Sequence, residues 1–166
     1  MALTDNQPHG LVRMLLRAPI WLYRVRLGWL AGHRLLYLVH RGRRTGKRRE
    51  VIVETVHYDP AAPEAIVVAA WGRSPDWYQN LLAAPAIEVR VGSHRWPRPD
   101  HRFLAPAETY QTLLAYRQAH PRAWKHIAPL LGFPTDPADR RWPEIAATVR
   151  AIAFTPVPCH NSSHML

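Results

Sequence analysis

Strand-like runs follow one another along this chain with few helices between them, and that order limits the available folds more than any single motif does. Leu35 to Arg41 is a continuous apolar run, Glu50 to Tyr58 is rich in β-branched residues, and Ala65 to Ala70 is wholly apolar. Ile87, Val89 and Val91 alternate with Glu88 and Arg90, the pattern of a half-buried strand. Gly92-Ser93 suits a two-residue hairpin into His94 to Phe103, where Pro97 and Pro99 predict an edge or a break. Ser74-Pro75-Asp76 reads as a helix start with a serine cap, proline in the first turn and a carboxylate at the positive end of the dipole. Helices are expected from there to Ala84, over Pro106 to Ala119, over Arg122 to Leu131 and near Trp142 to Thr148, before a last strand, Ala151 to Thr155. The order β-β-β-α-β-β-α-β predicts an α+β protein, a six-stranded antiparallel sheet forming a small split β-barrel with flanking helices, and not a parallel doubly wound sheet.

The chain has 166 residues and is 48% hydrophobic, enough for one domain with its own core. Residues 1–10 are expected to be a flexible N-terminus, 11–157 the single domain and 158–166 a disordered tail. Leu11, Met14, Leu15, Ala18, Leu22, Val25 and Trp29 share one stripe of a helix whose opposite face carries Arg13, Arg17 and Arg24, with Pro19 predicting a kink. Such a helix either covers the open side of a sheet or lies on an anionic membrane surface. Its charge-free runs are too short to span a bilayer.

Net charge narrows the partners. Lys and Arg exceed Asp and Glu by 22 to 12, a formal +10, and eleven of the 22 cations fall between Gln7 and Arg49, where there is no acidic residue. An anionic partner follows. The lone Cys159 excludes an internal disulfide and multi-cysteine metal sites, which points to a reducing, cytoplasmic location. No HExxH, CxxC or GxSxG pattern is present, so no metal and no single catalytic nucleophile is assigned. The aromatic spacing carries no stacking signature of nucleic-acid binding, which leaves net charge as the sole argument for that partner.

Two segments carry chemistry. In His40-Arg41-Gly42-Arg43-Arg44-Thr45-Gly46-Lys47-Arg48-Arg49, glycines allow close backbone approach, Thr45 offers a hydroxyl, and the cations supply charge-assisted bonds to phosphate or carboxylate oxygens. In Ala70-Trp71-Gly72-Arg73-Ser74-Pro75-Asp76-Trp77-Tyr78-Gln79-Asn80, a buried strand delivers the chain to a glycine and a helix N-terminus. Trp77 and Tyr78 either wall a flat heterocycle or pack on the barrel.

Together these segments resemble the deazaflavin-dependent nitroreductase family, also known as coenzyme F-420-dependent quinone reductases, in the split-barrel, FMN-binding-like superfamily. Gly42, Arg43, Arg44, Thr45, Gly46 and Arg49 fill a motif of the form G-R-K-[ST]-G-x-x-R. Trp77, Tyr78, Asn80, Leu81, Pro85, Val89 and Val91 fill P-x-W-Y-x-N-L-x-x-x-P and the V-x-V strand after it. The resemblance runs from about Leu11 to Val157. It implies a hydride transfer from reduced F-420 (8-hydroxy-5-deazaflavin) to a small-molecule electron acceptor: a quinone, nitroaromatic or activated enone. FMN is the alternative cofactor. Arg43, Arg44, Thr45, Gly46 and Arg49 would hold the polyanionic tail, and Ala70, Trp71, Gly72 and Arg73, with Trp77, Tyr78 and Asn80, would border the ring system. The cofactor then carries the redox chemistry, and the protein orients it. The acceptor pocket is expected between the Trp71 loop and Tyr110, Tyr116 and Trp124. The chain departs from the family's nitroimidazole-reducing members in having no tyrosine across Arg140 to Thr148.

Overall fold

A computed structural model describes residues 32–69, 75–134, 136 and 139–158. The expected N-terminal amphipathic helix, the Ala70 to Ser74 loop, and Cys159 with the tail after it lie outside the described residues. The described residues include seven strands: β1 (Leu35–Arg41), β2 (Arg48–Asp59), β3 (Glu64–Ala69), β4 (Glu88–Val91), β5 (His94–Pro97), β6 (Asp100–Phe103) and β7 (Arg150–Thr155). They form one sheet in the order β5-β4-β1-β2-β3-β7-β6, antiparallel throughout.

The two edge strands of that order, β5 and β6, are consecutive in sequence and separated only by Arg98 and Pro99. The sheet therefore curls until its edges meet, which makes it a split barrel. Six strands were expected, and the seventh arises where the single run His94 to Phe103 breaks. Pro97 and Pro99 have no N–H to continue a ladder. Arg98 between them takes a left-handed φ of 46° and donates its N–H to the Ile87 carbonyl at 2.9 Å. The first half of the run pairs with β4 and the second half with β7.

Among the described residues four helices flank the barrel: α1 (Asp76–Ala83), α2 (Pro106–Ala119), α3 (Pro121–Leu130) and α4 (Trp142–Thr148). α1 begins after Pro75, one residue later than the Pro75 start expected from sequence. The Pro75 carbonyl accepts from the N–H groups of Tyr78 (3.0 Å) and Gln79 (3.2 Å). Among the described residues no helix is long and apolar enough to cross a membrane.

Period-2 alternation sorts the strand side chains between two cores. Leu36, Leu38, Val53, Val67, Val89, Val91, Ile152 and Phe154 point into the barrel, where Trp77, Tyr78 and Leu81 of α1 join them. Alternation past Val53 leaves Val56 on the outer face, and a register shift in β2 between Thr55 and His57 then brings Tyr58 back to the inner side. There it packs with Ile66, Val68, Ala151 and Ala153 under Leu113, Tyr116, Trp124, Phe133 and Trp142. The aromatic layer is tight: Trp124 stacks on Trp142 at 5.2 Å, and Phe133 lies 4.6 Å from Trp142. Trp124, expected to line an acceptor pocket, is spent on this core, and Tyr110 is partly buried against it.

Candidate functional site

The turn between β1 and β2 is built by its two glycines. A Cβ on Gly42 would lie 2.9 Å from Thr45 Oγ1, so the Thr45 hydroxyl would have to move, and Gly46 takes a left-handed φ of 65°. The Gly46 N–H reaches back to the Gly42 carbonyl at 2.7 Å, and the Gly42 N–H reaches the Lys47 carbonyl at 2.9 Å. Two more N–H groups of the turn go to side chains, Arg43 to Asn80 Oδ1 and Lys47 to Thr45 Oγ1. Anion recognition falls to the side chains that the turn projects.

Arg43 ties the turn to α1. Its guanidinium Nη1 donates to Asp76 Oδ1 at 2.9 Å and to Asn80 Oδ1 at 3.1 Å, while its backbone N–H donates to the same Asn80 oxygen at 2.9 Å. Those two donors fix the orientation of the Asn80 amide, so Asn80 Nδ2 faces His40 Nδ1 at 3.2 Å and donates to it. In that arrangement His40 Nδ1 accepts from Asn80, and the Arg41 carbonyl lies 3.5 Å from the same nitrogen. His40 is 3% exposed, and burial, assisted by the charge of Arg49, holds its pKa below the usual histidine value. Arg49 is its direct cross-strand partner.

The remaining cations of the turn are differently placed. Arg48 stands 3.7 Å from Glu50, and Arg41 reaches the Gly46 carbonyl at 3.4 Å. Among the described residues the side chains of Arg44, Lys47 and Arg49 have no anionic partner. Thr45 Oγ1 accepts the Lys47 N–H at 3.4 Å and keeps its own hydrogen to donate. Three uncompensated cations and a hydroxyl within six residues fit a phosphate or a run of carboxylates, and the one nearby acid of α1, Asp76, is already neutralised by Arg43.

The sequence-predicted site is thus partly assembled. Arg43, Arg44, Thr45, Gly46 and Arg49 share the turn, and Asn80 joins them from α1, although its carbonyl oxygen and one amide hydrogen are engaged by Arg43 and His40. Trp77 and Tyr78, each 8% exposed, turn into the barrel core; Tyr78 meets Phe103 edge-on at 5.3 Å. Ala70, Trp71, Gly72 and Arg73 lie outside the described residues. Sequence reasoning missed His40 as the link between strand and helix. The signal was present: His40 falls at the inward position of the apolar run that Leu36 and Leu38 define.

Residues 16–122 match the family model described as F-420H(2)-dependent quinone reductase. The chain belongs to that family. Coenzyme F-420 is accordingly its cofactor, and its activity is that of a deazaflavin-dependent reductase, with a quinone-type acceptor. Its fold is similar to that of a solved F-420-H2 dependent reductase, with a TM-score of 0.50 and 20% identity over 74% of this chain and 95% of that one. A Clostridium acetobutylicum protein related to general stress protein 26, of the pyridoxinephosphate oxidase family, gives 0.47 at 9% identity over 83% and 84%. A pyridoxamine 5'-phosphate oxidase-related, FMN binding protein from Nostoc punctiforme gives 0.44 at 15% identity over 90% and 82%. No curated protein sequence matches the chain.

Proposed function

We propose that this reductase holds the anionic tail of F-420 with Arg44, Lys47 and Arg49, aided by the Thr45 hydroxyl, and that Arg43 and Asn80 position the turn against α1. The observation that carries this reading is the contrast within the turn: Arg43 is pinned by Asp76 and Asn80, while its three cationic neighbours have no partner among the described residues. Bound, the reduced deazaflavin supplies the hydride. The residues of the turn bind and orient, and no side chain of the turn serves as nucleophile or metal ligand. The Ala70 to Arg73 loop, between β3 and α1, borders the reacting ring in this reading. Nitroaromatics and activated enones join quinones as acceptors, since each takes a hydride and a proton.

A membrane-surface role for the basic segment 11–29 belongs to the same proposal, because quinones reside in bilayers. The test is anaerobic turnover of reduced F-420 with a soluble quinone, a nitroaromatic and an enone, followed by the return of the oxidised deazaflavin absorbance. Reduced FMN serves as the competing cofactor. Oxidation of F-420 and not of FMN supports the reading. Turnover with FMN alone overturns it.

A further inference from the structure

On the outer side of the barrel, away from the turn, a groove of about 440 Å³ opens between β2–β3 and α2. Its apolar walls include Val56, Ile66, Ala115 and Ala119, and Gln111 and His120 border it. Tyr116 also lines this groove, yet it is only 5% exposed. Its hydroxyl lies 3.2 Å from Glu54 Oε1, a carboxylate on the helix-facing side of β2. An apolar slot with a buried tyrosine in its wall and a carboxylic acid behind that tyrosine is a site for a flat, weakly polar molecule that must be protonated.

We propose that this groove takes the electron acceptor and that Glu54, acting through Tyr116, delivers the proton that accompanies the hydride. The proposal rests on the reductase reading above and extends it to the acceptor's side. Glu54 lies five residues along β2 from Arg49, roughly 17 Å of strand.

The exchange balances. A quinone becomes a hydroquinone by gaining a hydride, which comes from the reduced cofactor, and a proton. The Tyr116 hydrogen forms the new O–H bond on the acceptor oxygen as Tyr116 Oη takes the hydrogen of the Glu54 carboxyl. Glu54 is left as carboxylate and regains its proton from water. When Glu54 is ionised, Tyr116 donates to it; when Glu54 is protonated, the same 3.2 Å pair runs the other way and frees the tyrosine hydrogen for the groove.

The surroundings favour a Glu54 that takes up protons. Burial raises its pKa above the usual carboxylate value, against the opposing influence of the Tyr116 hydrogen bond, Arg34 and His126. Arg34, just before β1, stands 3.8 Å from Glu54 Oε1; His126 faces it from α3; and His120 of α2 lies 5.1 Å from the Tyr116 ring. Burial, then the nearby Glu54 charge, raises the Tyr116 pKa, so the tyrosine stays a donor.

Two variants test the relay, Glu54→Gln and Tyr116→Phe, with two readouts. The first needs no cofactor: the Glu54 carboxyl carbon, labelled with carbon-13 and assigned by its loss in Glu54→Gln, is titrated by NMR. Its midpoint is expected above the ordinary glutamate range and higher still in Tyr116→Phe, which removes the hydrogen bond that stabilises the carboxylate. The second is turnover with a soluble quinone. Wild-type kcat falls as pH rises through that midpoint, and Glu54→Gln loses at least tenfold in kcat together with this pH limb, with F-420 affinity unchanged. Tyr116→Phe, which keeps the ring in the core, loses kcat likewise and carries the test if the glutamine variant folds poorly. A Glu54 that titrates at or below the ordinary range, or variants that keep kcat and its pH limb, overturn the relay alone. A wild type that binds F-420 but reduces no acceptor overturns the relay together with the reductase reading.

Discussion

The turn end of the barrel and its helix-covered face are built on opposite principles. At the turn, six cations between Arg41 and Arg49 sit on a tight glycine-closed loop, three of them without a partner among the described residues, and almost nothing there contributes to the core. Under α2–α4, most buried side chains are apolar and packed, and two polar ones, Glu54 and Tyr116, hold each other. Affinity for an anion resides where stability does not depend on it, and shape for an apolar molecule resides where stability is made. Substitutions at the two ends should therefore separate binding from folding.

The largest effect should come from the packed face. Leu113 is fully buried, so Leu113→Ala is expected to lower unfolding free energy by ~2–5 kcal/mol in urea titration, with F-420 affinity preserved in the folded fraction. Weakened F-420 binding out of proportion to that loss would blur the division. Asn80 joins the two principles, since it is 5% exposed and bonds both Arg43 and His40. Asn80→Ala should cost ~1–3 kcal/mol of stability and also loosen the turn, weakening F-420. An effect on stability with none on binding would show that the turn keeps its shape without the bridge.

Smaller gains and losses sharpen the picture. Thr109 is 1% exposed and its hydroxyl has no hydrogen-bond partner among the described residues. Thr109→Val is expected to raise stability by ~1 kcal/mol, read as a higher denaturation midpoint. An unchanged or lower midpoint would mean that the hydroxyl is satisfied. His40 gives the smallest effect, visible only with pH. Because its folded pKa lies below that of the unfolded chain, the unfolded state binds more protons, and stability falls as pH drops from about 6.5 toward the folded value. Unfolding free energy measured at pH 7.5 and 5.5 should show that fall in wild type and a flatter dependence in His40→Gln. Equal slopes would place the pH sensitivity elsewhere.

What the sequence revealed tracks how local each feature is. The cationic turn was legible because all its members lie within ten residues and the glycines mark its shape. Strand order was legible because hydrophobic alternation is local too. The split of His94 to Phe103 was half visible: the prolines announced a break, but only closure of the sheet decides that the two halves pair with β4 and β7. Trp77 and Tyr78 had two readings from sequence, and burial of their rings favours the core. The Glu54–Tyr116 pair spans 62 positions and joins a strand to a helix, so no local spacing rule announced it.

The account stands most directly on one titration, F-420 fluorescence against wild type and against Arg44→Ala/Arg49→Ala, at low and high salt. Losing charged hydrogen bonds worth ~1.5–3 kcal/mol each, the double variant should bind at least tenfold more weakly and respond less to salt, with stability changed by less than ~0.5 kcal/mol. Equal affinity and equal salt dependence in the two proteins would contradict the turn as the seat of the cofactor's anionic tail.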